Sequence, residues 1–255
     1  MTLYNFLVKS IEFWQKHSGL TNLKTHTIYT KLIDSQSLVI DLGANVGQFS
    51  QEISREFNCR CYALEAVPAV YSQITENNLV KKFNCAISDQ NQPIDLYLSE
   101  NRECHSVSQQ AASIHGLQGV ISVEGITLDT FLNNHKIESI DVLKVDIEGA
   151  EEALFNSTSD ATLCNIKQVT IEFHDFVPGS ISADEVKKIV NRLKRLGFVC
   201  LPFSYLLPGI DTCDFLFVNT KQCKISYKDW VGFQIINLLL LIQKTKSSIS
   251  TQFSN

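Results

Sequence analysis

The sequence is short of several things that would have placed it at once. None of its eight cysteines forms a Cys-x-x-Cys pair, so neither a structural zinc knuckle nor a thioredoxin-type redox motif is indicated. Cys61, Cys85 and Cys200 fall inside apolar runs, where a reduced thiol acts as a small hydrophobe. The N-terminus has no basic region leading into an unbroken apolar stretch with a small-residue cleavage site, so no signal peptide is expected and a reducing cytoplasm is the natural compartment. Positive charge is also scarce, with 22 Lys and Arg against 27 Asp and Glu and a formal net charge of -5. Phosphate tracks need clustered Lys and Arg, so a nucleic-acid partner is not expected. No apolar run reaches the roughly 20 residues that span a bilayer. Internal repeats and clear domain linkers are absent too.

What is present is the balance of an ordinary globular chain. Hydrophobic residues make up 44% of 255 positions and charged residues 19%, enough to bury a sizeable core. Leu3, Leu7, Ile11 and Trp14 form a helical stripe within residues 3–17. Short apolar runs then alternate with helical patterns. Strand-like segments cover Ser37–Leu42, Cys59–Glu65, Phe83–Ile87, Ile94–Leu98, Ile140–Asp146, Gln168–His174, Phe198–Phe203 and Asp214–Asn219. That alternation predicts an α/β fold with a mostly parallel, Rossmann-like sheet covered on both faces. The last two strands leave no room for a crossover helix, so they are expected to pair antiparallel. The simplest division is a helical N-terminal extension over 1–34, one catalytic domain over 35–220 and an apolar helical extension over 221–255. The polar stretch from Ser99 to Gln118 reads as a long loop of the kind that often carries function. Its His105, Ser106 and Ser108 could line a pocket.

The first central strand ends in Asp41-Leu42-Gly43-Ala44-Asn45-Val46-Gly47. Ligands of open parallel sheets bind at the carboxyl ends of the strands. Gly43 and Gly47 would let backbone approach a ligand without Cβ interference, with Asn45 between them in the same turn. Glu65 ends the second strand, where an acidic side chain accepts hydrogen bonds from ribose hydroxyls. Asp89 follows the third and could reach an adenine amine, although Asp89–Pro93 is also plain turn chemistry. A nicotinamide cofactor would want a G-x-G-x-x-G loop and a pyrophosphate at a helix start. Here that loop is missing, and an acid stands where a pyrophosphate would be unwelcome. Asp41 could instead receive the ammonium of S-adenosylmethionine, which carries no phosphate, directly or through water.

Five segments strengthen that reading. They are Asp41–Ser50, Ala63–Pro68, Ala86–Asp89, Thr127–Leu132 and Leu143–Glu151, the last reading Leu-Lys-Val-Asp-Ile-Glu-Gly-Ala-Glu. In this order the chain resembles the FkbM family of S-adenosylmethionine-dependent methyltransferases over about residues 38–174. Ala66 departs from the family's usual choice after the Glu. The resemblance implies a class I methyltransferase fold and, typically, O-methylation of sugars or secondary metabolites.

Strand alternation supplies a separate inference about catalysis. Val142, Lys144 and Asp146 share one face of their strand, and Thr170, Glu172 and His174 share one face of theirs. If the two strands are neighbours, Glu172 would partner a buried Lys144, with Asp146 and His174 emerging at the ligand edge. His174 is then the expected base for an alcohol acceptor, Asp146 the group that orients it or the substrate, and Lys144 the third member of the catalytic set. Glu148, Glu151 and Glu152 read as ordinary helix-start acids. Asp146, Glu172 and His174 could also coordinate a divalent metal, but their spacing does not demand one and none is assigned. The competing functions are a nicotinamide-dependent oxidoreductase and a methyltransferase-like module that binds without turnover. The expected partner is a small hydroxyl-bearing molecule. Trp230–Ile242, broken by Gln234 and Asn237, reads as a helix packed on the N-terminal stripe or across a homodimer, or as one lying on a membrane surface.

Overall fold

The structure is a computed structural model that describes residues 3–101, 104–203 and 214–252, with side chains between 5 and 242 of those ranges. The chain opens with helix α1 (Leu3–His17), followed by a hairpin of β1 (Leu20–Leu23) and β2 (His26–Tyr29) and one 3-10 turn. The alternating region then begins with β3 (Leu38–Leu42), α2 (Gln48–Phe57), β4 (Arg60–Leu64), α3 (Pro68–Tyr71) and β5 (Val80–Phe83). Next come β6 (Ala86–Ile87), β7 (Pro93–Ser99), α4 (Gln109–Ile114), β8 (Leu117–Ile126) and α5 (Leu128–His135). The second half of the region holds β9 (Ile140–Val145), α6 (Glu151–Ser157), α7 (Asp160–Cys164) and β10 (Ile166–Ile171). Helix α8 (Ala183–Leu196), β11 (Phe198–Pro202), β12 (Phe215–Asn219) and α9 (Tyr227–Gln252) complete it.

Seven strands form the central sheet in the order β11-β12-β10-β9-β3-β4-β5. All neighbours are parallel except β12, which runs antiparallel to both β10 and β11. This is the class I methyltransferase sheet. β3, β9 and β12 are buried at every position and β10 at all but one, which is why they read as continuous apolar runs with isolated polar residues. Their order reverses beside β3, so β3 and β9 open a crevice at their carboxyl ends, where such sheets bind ligands.

Besides β8 (Leu117–Ile126), a strand absent from the sequence reading, three elements differ from it. The Phe83–Ile87 run is two strands: β5 closes the central sheet, while β6 joins β7 and β8 in a separate three-stranded sheet. Residues 1–34 are not all helical, because the β1–β2 hairpin follows α1. Within that hairpin Tyr29 N donates to Gln168 Oε1 at 2.8 Å, and Gln168 Nε2 donates back to Tyr29 O at 3.1 Å. A side-chain amide on β10 thus mimics a strand partner and lays β2 against the central sheet. No local period announces such a contact. Third, β10 stops at Ile171, so His174 lies beyond the strand.

At the far side of the sheet, α9 packs on α1. Leu7, Ile11, Phe233, Ile236 and Leu240 join Leu216 and Val218 of β12 in one buried cluster. The N-terminal stripe is therefore covered by the C-terminal helix. No helix among the described residues is long and apolar enough to cross a membrane. The loop between β11 and β12, with Cys213, lies outside the described residues.

Candidate active site

The turn after β3 is shaped by contact between two backbones. Gly43 has φ +75°, and a Cβ built there would lie 1.8 Å from the carbonyl oxygen of Asp146 at the end of β9. Only glycine fits, so strand-end packing by itself requires it. Gly47, at φ +79°, begins α2, and Asn45 adopts a left-handed φ of 49° that its short polar side chain tolerates. Glu65 closes this turn. Its Oε2 accepts from Asn45 N and its Oε1 from Val67 N, both at 2.9 Å. Burial pushes the Glu65 carboxyl up, against the opposing pull of those N–H donors.

A cleft of about 790 Å³ runs from this turn across the ends of β3 and β9. That is ample for a nucleoside-sized molecule together with part of a second one. Gly43, Ala44, Asn45, Glu65 and Ile87 line one end, and Asp146, Glu148, Glu172, His174 and Phe176 line the other. His105 and Ser106 border it from the polar stretch, whereas Ser108 caps α4 by accepting from Ala111 N.

Asp41 and Lys144 stand elsewhere than the direct-ligand and catalytic readings put them. Register pairs Asp41 with Lys144 across β3 and β9, and Lys144 with Thr170 across β9 and β10. Asp41 is fully buried and absent from the cleft lining; it takes a hydrogen bond from Ser50 Oγ at 2.6 Å and faces Lys144 Nζ at 3.2 Å. Lys144 Nζ also donates to Gly43 O at 2.7 Å and lies 3.4 Å from Asp146 Oδ2. Its partners are thus Asp41 and Asp146 rather than Glu172, because Thr170 occupies the neighbouring position on β10. Burial alone would lower the Lys144 ammonium, but the two carboxylates outweigh it and hold the group well above its ordinary value. A lysine so held does not give up a proton. It ties the Gly43 turn to Asp146.

Asp146 does reach the cleft. Burial would raise its carboxyl, yet the Lys144 ammonium, aided by His26 and His174, holds it far below the ordinary range. His174 also arrives, from the loop after β10. Its Nδ1 bonds the fully buried Glu151 Oε1 at 2.7 Å, and its Nε2 lies 3.3 Å from Glu148 Oε2 and 3.7 Å from Asp146 Oδ1. Burial alone would lower this imidazole, but the hydrogen bonds to Glu148 and Glu151 push it up to about 11. The expected free base is therefore an imidazolium near neutral pH. Glu148 is shifted upward as well: burial raises its carboxyl, although His174 opposes the rise.

No motif or period in the sequence singles out His26. On β2, its ring is buried, with Nε2 3.6 Å from Asp146 Oδ2 and Nδ1 3.4 Å from Thr170 Oγ1. Thr170 Oγ1 in turn donates to Asp214 Oδ2 at 2.8 Å, and the same oxygen accepts from Thr27 N. Glu148 and Glu151 were visible in sequence only as helix-start acids. The φ of 51° at Glu148, a value bulky side chains seldom adopt, marks it as more than that. Asp89 is exposed and lies outside the cleft lining, although Ala86 and Ile87 just before it belong to the wall.

A family profile described as the methyltransferase FkbM domain matches residues 41–200. AMB antimetabolite synthetase AmbE of Pseudomonas aeruginosa is 25% identical over 221 residues, covering 71% of this chain. The chain spans only 10% of AmbE's length. 2-O-methyltransferase NoeI of Sinorhizobium fredii is 25% identical over 173 residues, 61% of this chain and 71% of that protein. A solved fibrillarin pre-rRNA processing protein of Methanococcus jannaschii is 12% identical, covers 79% of this chain and 70% of its own, and has a TM-score of 0.41.

Proposed function

The chain belongs to the FkbM methyltransferase family, and on that premise we propose that it methylates a hydroxyl of a saccharide or secondary metabolite, with S-adenosylmethionine as donor. The observation that carries the acceptor class is the joining, in one cleft, of a nucleoside-shaped turn with the Asp146–Glu148–His174 cluster. A hydroxyl must lose a proton on methylation, and a positioned base speeds such reactions by about 10²–10⁴-fold. The name of NoeI, a 2-O-methyltransferase, supports oxygen as the acceptor atom.

The donor end fits. Gly43 brings backbone to the cleft wall with no side chain in the way, and Glu65 holds its carboxylate there on two N–H groups while keeping lone pairs for ribose hydroxyls. The donor supplies a methyl group on a sulfonium centre, electrophilic without further activation. On the acceptor side Asp146 and His174 orient the hydroxyl, and Glu148 takes its proton on a carboxylate oxygen. Holding two reactants in line is worth roughly 7–11 kcal/mol of the barrier, and the walls of the cleft provide that alignment.

Calorimetry with S-adenosylmethionine, followed by mass spectrometry of hydroxylated acceptors, tests the reading. Donor binding and a gain of one methyl group on oxygen are expected. Donor binding with methyl transfer only to nitrogen or carbon would overturn the hydroxyl assignment, and heat with NAD but none with the donor would overturn the whole reading.

A further inference from the structure

We propose that Asp146, Glu148 and His174 bind a first-row divalent cation at the acceptor end of the cleft. The donor atoms are already gathered. Asp146, Glu148 and His174 each offer one ligand atom within 4.8 Å of the others, and so do His26, Asp146 and Glu172 on the flank. Ligands bound at about 2.1 Å stand roughly 3.0–3.4 Å apart around a metal. His174 Nε2 and Glu148 Oε2, at 3.3 Å, match that spacing now, and Asp146 Oδ1, at 3.7 Å from Nε2, needs to close by only a few tenths.

A second, independent observation lies behind the histidine. Metal-bound imidazoles almost always give their other N–H to a carboxylate or carbonyl, which fixes the tautomer. Glu151 is fully buried, and its Oε1 holds His174 Nδ1 at 2.7 Å, which turns Nε2 towards the two cleft carboxylates. The other oxygen, Oε2, is buried without a hydrogen-bond partner among the described residues, so the polar side chain is committed to this place at a cost. The flank repeats the device. Thr170 Oγ1 gives its hydrogen to Asp214, so it can only accept from His26 Nδ1, and that leaves His26 Nε2 facing Asp146.

The backbone is bent to the same end. Glu148 sits at φ 51°, and its carbonyl accepts from Ser106 Oγ at 2.6 Å. The next residue, Gly149, has φ +100°, and a Cβ there would meet Ser180 Oγ at 2.6 Å. A non-glycine residue held in that region is the kind of strain that collects at functional sites. The ion would displace the Nε2 proton of His174, since only the neutral ring has a lone pair to give there, and one imidazole with two carboxylates is a nitrogen and oxygen donor set that suits first-row divalent cations over soft thiophilic ones. Resting on the hydroxyl reading, the cation would hold the acceptor oxygen and ease its deprotonation. Glu148 would ligate through Oε2 and keep Oε1 for the proton.

The test titrates the full chain, stripped with chelator, with Mn²⁺ and follows free Mn²⁺ by electron paramagnetic resonance. Saturable binding of one ion is expected. Asp146→Asn should weaken it at least about tenfold, and Glu151→Gln by roughly 10–100-fold although Glu151 never touches the ion. Asp184→Asn, on the exposed face of α8, should leave it unchanged. Circular dichroism checks the fold, and Glu148→Gln, whose side chain reaches solvent, repeats the test if Asp146→Asn unfolds. No saturable binding, or binding untouched by these cluster variants, overturns the proposal. Donor binding measured on the same samples keeps the two readings apart. Loss of S-adenosylmethionine binding with Mn²⁺ retained counts against the methyl-transfer reading alone, and the reverse counts against the cation alone.

Discussion

The two ends of the cleft are built on different principles. At the donor end, one continuous segment does most of the work: the turn from Gly43 to Gly47, closed by Glu65 from the adjacent strand. Backbone conformation shapes it, and its key constraint is the absence of a Cβ. The acceptor end draws His26 from a hairpin, Asp146 and Glu148 from the turn after β9, and Glu172 and His174 from the turn after β10. Charged side chains shape it, and His26, Asp146, Glu148 and His174 are held by one another or by buried partners. A backbone-built site tolerates little change in volume; a charge-built site tolerates little change in ionisation.

Gly43→Ala is the most severe way to break this contrast. The added methyl group would collide with Asp146 O, so both ends should fail together, with a stability loss of about 3 kcal/mol or more and no measurable donor binding. Thermal denaturation and calorimetry measure both. If donor affinity survived intact, the turn would not be the rigid piece described here.

Glu148→Gln should sharpen the contrast. It keeps shape and removes charge, so turnover should fall by about 10²–10⁴-fold while donor affinity holds within about threefold. An equal loss in both would show that the two ends are not separable.

Outside the cleft lining, Asp229 offers a control. It accepts from Tyr29 Oη at 2.8 Å, Ser226 Oγ at 2.6 Å and Lys31 Nζ at 2.7 Å, pinning α9 to the N-terminal region. Burial would raise its carboxyl, but Lys31, Ser226 and Tyr29 together depress it. A depressed carboxyl stabilises the fold above its unfolded value, and that stability is lost as pH falls through the folded one. Asp229→Asn should therefore cost about 1–3 kcal/mol at pH 7, with the gap from the natural chain closing below about pH 4. Unfolding curves across pH check this, and turnover per folded molecule should not change.

The smallest effect is expected at Asp89. It is exposed and outside the cleft lining, so Asp89→Ala should shift donor affinity by less than about twofold. A tenfold loss would restore an adenine contact there.

The turn after β3 was largely legible in the sequence, because its information is local. Asp41 to Gly47, then Glu65, keep the order and spacing that a strand, a tight turn and the next strand impose. The antiparallel β11–β12 pair was legible for the same reason, since a short connection leaves no length for a crossover. Parity correctly put Lys144 and Thr170 on matching faces, yet it could not tell that Thr170, and not Glu172, would stand beside Lys144. Register depends on where each strand starts, which the alternation does not encode.

The sequence by itself determined the alternating architecture, the Gly43 turn and the family, since hydrophobic period and turn chemistry act over a few residues. Only the tertiary structure decided what the charges do. It set Asp41 as the buried counterion of Lys144, brought His26 across from a hairpin, and gave His174 a second carboxylate that keeps its ring protonated. Those roles follow from distances of three to four ångströms between residues far apart in the chain, and ionisation in a buried site is set by such distances, not by order along the backbone.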